Sequence, residues 1–229
     1  MTPRGLCRLI AIFPTLLLTT CAEPPSTAAD TESSEPFEPV TRVYHCAGEQ
    51  GSILLVTRTR PEGMSIFLPP SLGEQHRLLR EVEAGTRYEA DGTEVRIGER
   101  TADLVLPDAH YPDCVFDPRA SVWEHAKLGG ADFRGLGNEP GWALEVRAQS
   151  RLWFSYDYGA SEVSAAIVET RSDPQTRSTT YVGRAGSAEL LVTLTGEPCA
   201  DTMADDTYPT RVEVTLDGRV FRGCGRPLH

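Results

Sequence analysis

Apolar residues in this chain recur at short intervals with polar residues between them, a two-residue period rather than a helical one. From Thr41 to about Pro118 the segments TRVYHCAG, SILLVTR, GMSIFLP, RLLREVEA, TRYEAD, TEVRIG and TADLVL follow one another, separated by Gly, Pro, Asp or Glu turns. Each has strand length, roughly four to eight residues, and the close spacing predicts an antiparallel barrel or sandwich. Asp91-Gly92 predicts a two-residue hairpin, because a type I′ turn needs positive φ at both central positions. PSLGEQHRLLREVEA has room for one helical turn, and no long amphipathic helix is predicted.

The rhythm breaks at DPRASVWEHAKLGG, Asp117 to Gly130. It reads as a loop-like connection closed by a Gly pair, and the domain boundary is placed there. Strands then resume with DFRGLG, GWALEVRA, RLWFSYD, SAAIVET, STTYVG, AELLVTL, RVEVTLD and RVFRGC, and Asp217-Gly218 predicts a second hairpin. The expected fold is all-β, with two small antiparallel β domains at 41–118 and 131–229 joined by a linker at 119–130. No clean repeat links the two halves.

Residues 1–20 read as targeting sequence: basic MTPRGLCR, then the ten apolar residues LIAIFPTLLL, then a Thr pair before Cys21. Ten residues are too few for a bilayer, which needs about twenty. LTTC resembles the lipobox of bacterial lipoproteins, with Leu18 at −3 and Cys21 as the lipidated residue. Thr20 departs from the usual Gly, Ala or Ser. Residues 21–40 are Pro-, Ser- and acid-rich and read as a disordered tether. The resemblance implies a lipoprotein signal peptide, two or more acyl chains such as palmitate, and attachment to the membrane through that N-terminal lipid. The expected location is the cell envelope, as an outer-membrane lipoprotein facing the periplasm.

Charge narrows the partners. The chain has 22 Lys and Arg against 33 Asp and Glu, and loss of Arg4 and Arg8 with the leader leaves 20 against 33, a net −13. Such a field repels nucleic acid and favours a basic partner, or serves solubility alone. Of six cysteines, Cys7 leaves with the leader and Cys21 takes lipid. Cys46, Cys114, Cys199 and Cys224 allow three pairings. The sequential one keeps each bridge inside one half, and an exported chain meets an oxidising compartment.

VYHCAGEQG, Gly85-x-x-Tyr88, Ala102-x-Leu104 after a Gly, and Cys114 resemble the membrane-bound and periplasmic inhibitors of c-type lysozyme, over Val43 to Cys114. The resemblance implies an eight-stranded antiparallel barrel with a bridge between first and last strands, at Cys46 and Cys114. It implies c-type lysozyme, a basic protein, as partner. That enzyme works with one protonated and one ionised carboxyl group. The family offers them a hydroxyl and a cation from a Ser-Gly-x-x-Tyr loop and a Lys-Gly turn. The corresponding inhibitory loops here are Ala84, Gly85, Thr86, Arg87 and Tyr88, and Gly98, Glu99 and Arg100. Ala84 stands at the Ser position and Gly98 at the Lys position, so both usual donors are absent. Thr86 and Arg100 are the candidate substitutes. The competing structural assignment makes Thr86 a strand residue, Arg100 a solvated turn charge and Tyr88 barrel core.

In the second half, GNEPGWALEV, CADTMADDTYP and GCGRPL resemble a domain of bacterial envelope lipoproteins without assigned activity, over Asp132 to Leu228, with Gly141 where that pattern has Phe. Asn138, Glu139, Trp142 and Asp201 form a candidate sugar-binding groove. The alternative has Asn138 and Glu139 capping a turn and Trp142 filling the core. DTMADD lacks the ligand spacing and Gly of an EF-hand loop, so no metal is expected. The five histidines form no His-x-x-x-His pair and no Gly-x-Ser-x-Gly elbow occurs, so neither enzyme activity nor a cofactor is expected. The expected function is inhibition of c-type lysozyme by loop insertion. A non-inhibitory envelope module that binds glycan or a partner lipoprotein is the alternative.

Overall fold

The computed structural model describes residues 37–201 and 206–229. The leader, Cys21, most of the tether and residues 202–205 of the acidic DTMADD segment lie outside the described residues. Among the described residues no helix is long and apolar enough to cross a membrane.

The first half closes into a barrel in which sequential strands are neighbours. They are β1 (Thr41–Gly48), β2 (Gly51–Arg60), β3 (Gly63–Phe67), β4 (His76–Glu83), β5 (Arg87–Ala90), β6 (Thr93–Ile97), β7 (Thr101–Leu106) and β8 (Ala109–Asp117). β1 shuts the barrel against β8 through Val43 to His45, opposite Val115 to Asp117. The single helical turn is a 3₁₀ turn at Pro70–Leu72. Alternation places Tyr44, Leu55, Ile66, Leu79, Val95 and Leu104 inside, all fully buried. Cys46–Cys114 staples first strand to last. Asp91 and Gly92 both have positive φ, 48° and 76°, as the two-residue hairpin requires.

The segment read as a linker is a helix, α1 (Pro118–Leu128), with buried Ser121, Trp123 and Ala126. Asp117 caps it by accepting from the Ala120 N–H at 2.9 Å, Pro118 opens it without an N–H to satisfy, and Gly130 leaves it at φ 86°. The loop-like reading failed because the buried face is narrow. The helix packs on the outer surfaces of both barrels, so only a few positions are apolar. The cap donor and the His45 imidazole at 2.9 Å hold the Asp117 carboxyl below its usual pKa. Asp117→Ala should therefore cost about 1 kcal/mol in denaturant unfolding at neutral pH. Because the folded pKa is depressed, this contribution is complete above the unfolded value near 4 and fades as pH falls through the folded one.

The second half closes a second eight-stranded barrel. Its first strands are β9 (Ala131–Asn138), β10 (Gly141–Arg147), β11 (Arg151–Tyr156) and β12 (Ser161–Asp173). β13 (Ser178–Ala185) and β14 (Ala188–Thr195) follow, and a small hairpin, β15 (Cys199–Asp201) with β16 (Asp206–Tyr208), interrupts the circuit. β17 (Thr210–Leu216) and β18 (Arg219–Pro227) complete it, with β18 pairing to β9. Asp217 and Gly218 again have positive φ. Cys199–Cys224 ties the inserted hairpin to β18, and Trp123 of α1 packs on Tyr208 and this bridge.

Helix α1 thus joins the barrels by their outer walls. The Val43 N–H donates to Ser121 Oγ at 2.8 Å, and Arg58 donates to the His125 carbonyl at 3.4 Å. On the other side Arg134 and Arg147 converge on Glu145, which is 2% exposed although its side chain points away from its own barrel's interior.

Candidate functional site

Because sequential strands alternate in direction, the β4–β5 and β6–β7 turns fall at the same end of the first barrel. They abut: the Ile97 N–H donates to the Thr86 carbonyl at 2.7 Å. The first turn is held by the Thr86 N–H on the Glu83 carbonyl at 3.0 Å and the Gly85 N–H on the Glu81 carboxylate. Gly85 has φ 67°, a left-handed conformation that glycine adopts without strain. The second turn is held by the Gly98 N–H on the Thr101 carbonyl at 2.8 Å and by the Phe116 N–H on the Arg100 carbonyl at 3.0 Å.

The eight candidate residues divide by placement. Ala84, Gly85, Thr86, Gly98, Glu99 and Arg100 are exposed on this rim. The Arg100 guanidinium makes no ion pair or hydrogen bond among the described residues. Arg87 is engaged sideways by Glu94 at 2.9 Å and by Glu89, which removes it from the set of free donors. Tyr88 is 5% exposed and belongs to the core; burial pushes its hydroxyl pKa up.

A cavity of about 200 Å³ opens at this same mouth. One contributor, Arg42, is not among the candidates read from the sequence; it shares the inward face of β1 with Tyr44 and Cys46. A charged residue in phase with two apolar ones on a strand was the available clue.

In the second barrel, Asn138, Glu139 and Asp201 do come together around a cavity of about 200 Å³. Asn138 Nδ2 donates to Asp201 Oδ1 at 2.7 Å, so Asn138 bridges to the inserted hairpin rather than capping its own turn. Trp142 is core, 5% exposed. A side chain on Gly137 would sit 2.2 Å from Trp142 Nε1, so glycine there lets the indole pass beneath the strand. With the indole under the floor, the cavity offers polar groups and no aromatic face for a sugar to stack on. Among the described residues no three His, Cys, Asp or Glu side chains gather as a metal ion would need. Comparison of the chain with protein-family models, with curated proteins and with solved structures finds no match.

Proposed function

We propose that this chain is a lipid-anchored envelope protein that inhibits c-type lysozyme by inserting the two rim turns of its first barrel into the catalytic cleft. One observation carries the proposal. The Ala84–Thr86 and Gly98–Arg100 turns lie side by side at one end, exposed, and present together an unpaired guanidinium and the Thr86 hydroxyl, which makes only a long 3.5 Å bond to the Glu83 carbonyl. That pair suits a cleft with one protonated and one ionised carboxyl group: the planar guanidinium fork takes the carboxylate, and the Thr86 hydroxyl bonds to the acid. The chain turns nothing over itself; it fills the groove where substrate would lie. Ala84 and Gly98 remove the family's usual donors, and the neighbouring Thr86 and Arg100 take their place. Net negative charge attracts a basic enzyme at long range and speeds encounter.

Titration of residues 22–229 against c-type lysozyme activity tests this directly. Inhibition should be saturable and should weaken as salt rises. Arg100→Ala should raise the inhibition constant about 10- to 100-fold, the worth of one charge-assisted hydrogen bond of about 1.5–3 kcal/mol. Full inhibition by Arg100→Ala would remove the guanidinium from the mechanism. Absence of any inhibition, with retention on a peptidoglycan pull-down, would favour the non-inhibitory binding module instead.

A further inference from the structure

We infer that the turn-bearing mouth of the first barrel binds a medium-chain aliphatic carboxylate, with Arg42 as its counterion. The inference is independent of the lysozyme proposal, because it rests on the interior of the barrel rather than on the outer face of the turns.

Four observations converge. First, the cavity of about 200 Å³ has room for a chain of roughly six to eight carbons, taking about 30 Å³ per water-sized group. Second, Val40, Met64, Ile97 and the ring of Tyr88 give it an apolar wall beside Thr57 and Thr59, with Gly85 at the rim where no side chain narrows the entrance. Third, Arg42 lines it and is paired with no carboxylate among the described residues. Its Cζ instead stands 5.7 Å from the centre of the Phe116 ring, which holds the guanidinium in place by a cation–π contact. Fourth, Tyr44 lies one inward position deeper on the same strand, fully buried, with the Arg42 guanidinium the nearest polar group to its hydroxyl. Arg42 and the buried Tyr44 hydroxyl thus face the cavity together with no carboxylate to balance the charge. A carboxylate head would satisfy the cation while its chain covered the walls.

The other charges facing the cavity are consistent with this. Glu81 approaches Tyr88, but its carboxylate is held by the Gly85 N–H at the rim rather than by Arg42. Thr57 turns its hydroxyl to the Arg42 carbonyl at 3.4 Å rather than to the guanidinium. Barrel mouths with apolar walls and one placed polar group are a recurring setting for small ligands. A phosphate would want a second cation, which this lining does not hold, and a sugar would want free hydroxyls, whereas Thr57 and Thr59 are engaged with the Arg42 carbonyl and the Val40 N–H.

The probe is octanoate, compared with 1-octanol, by calorimetric titration of the purified chain. Octanoate should bind saturably at one site, and octanol at least tenfold more weakly. Arg42→Met should weaken octanoate at least tenfold without changing octanol, and Arg42→Lys should recover part of the loss. Met64 gives a second readout that needs no cavity variant: it is the one methionine among the described residues. Its methyl resonance, assigned with Met64→Leu, should shift on octanoate addition. Arg100→Ala, expected to impair lysozyme inhibition, should leave octanoate binding unchanged, so the two proposals can fail separately. Equal affinity for octanoate and octanol, an unmoved Met64 methyl, or undiminished binding by Arg42→Met would each overturn the inference.

Discussion

Replacing Cys46 and Cys114 together by serine should cost the first barrel about 4 kcal/mol and leave the second barrel standing. The bridge spans 68 positions. In the chain-entropy account, opening a loop of that length returns about 4 kcal/mol of disorder to the unfolded chain, against about 3.5 kcal/mol for the 25-position span of Cys199–Cys224. A barrel of this size has a total stability of only about 5–15 kcal/mol, so the loss takes a large share. The location of the bridge sharpens the expectation. Cys46 and Cys114 link the strands whose pairing closes the barrel, and that pairing spans just three residue pairs, Val43 to His45 against Val115 to Asp117. Without the staple, the β1–β8 seam keeps only those three pairs and the packing of its buried side chains. The chain also supplies separate reporters. Trp123, Trp142 and Trp153 all lie beyond the first barrel, while Tyr44, Tyr88 and Tyr111 lie in its core and the other four tyrosines lie in the second half. Denaturant unfolding of the double variant should therefore show an early transition in far-ultraviolet dichroism and in part of the tyrosine signal, with tryptophan fluorescence unchanged until later. Coincident transitions would mean that α1 makes the two barrels one cooperative unit.

The strands were legible because half-buried strands leave a two-residue period, and the Asp91-Gly92 and Asp217-Gly218 turns because positive φ selects those residues. Closure was not legible from pattern alone. It depends on Tyr44 meeting Phe116, 72 positions away, and no local propensity records that pairing. The helix was written in its ends rather than its middle. Asp117-Pro118 and the Gly pair are start and stop signals, but Val122 stays exposed while Ser121 is buried, so the apolar stripe that would have drawn attention to it is missing. The rim turns were proposed from the family resemblance around Gly85 and Gly98. Arg87 and Tyr88 were counted with them because sequence cannot show that one residue lies along the sheet and the next points inward. Arg42 and Glu145 were overlooked for opposite reasons. Arg42 is a charge on an inward face that opens at a mouth, and Glu145 is a charge on an outward face that a helix covers.

Glu145→Ala should be among the most damaging single changes in the second barrel, at about 3–5 kcal/mol. Along β10 the side chains of Trp142, Leu144 and Val146 fill the barrel, and Glu145 points the other way, yet its side chain is 3% exposed. There it accepts from Arg134, whose side chain is 12% exposed, and from Arg147 Nε at 2.8 Å. Burial pushes the Arg134 pKa down and Glu145 pulls it back up. The charged groups facing His125 are Arg58, Arg134, Arg147 and Glu145, so Glu145 is the single acid in that set. Its removal strands a buried guanidinium whose Nε already lacks a partner and leaves cations facing one another across α1. Breaking a buried pair from one side costs much more than the pair contributes, because the surviving charge keeps its desolvation penalty without compensation. The same reasoning predicts rescue. Arg134→Met with Glu145→Ala removes both charges and should return to within about 1 kcal/mol of the parent. Urea unfolding followed by tryptophan fluorescence reads both variants, as a shift in midpoint at constant slope. A loss below about 1 kcal/mol for Glu145→Ala alone would show that water reaches this carboxylate, and that α1 does not seal the wall it lies on.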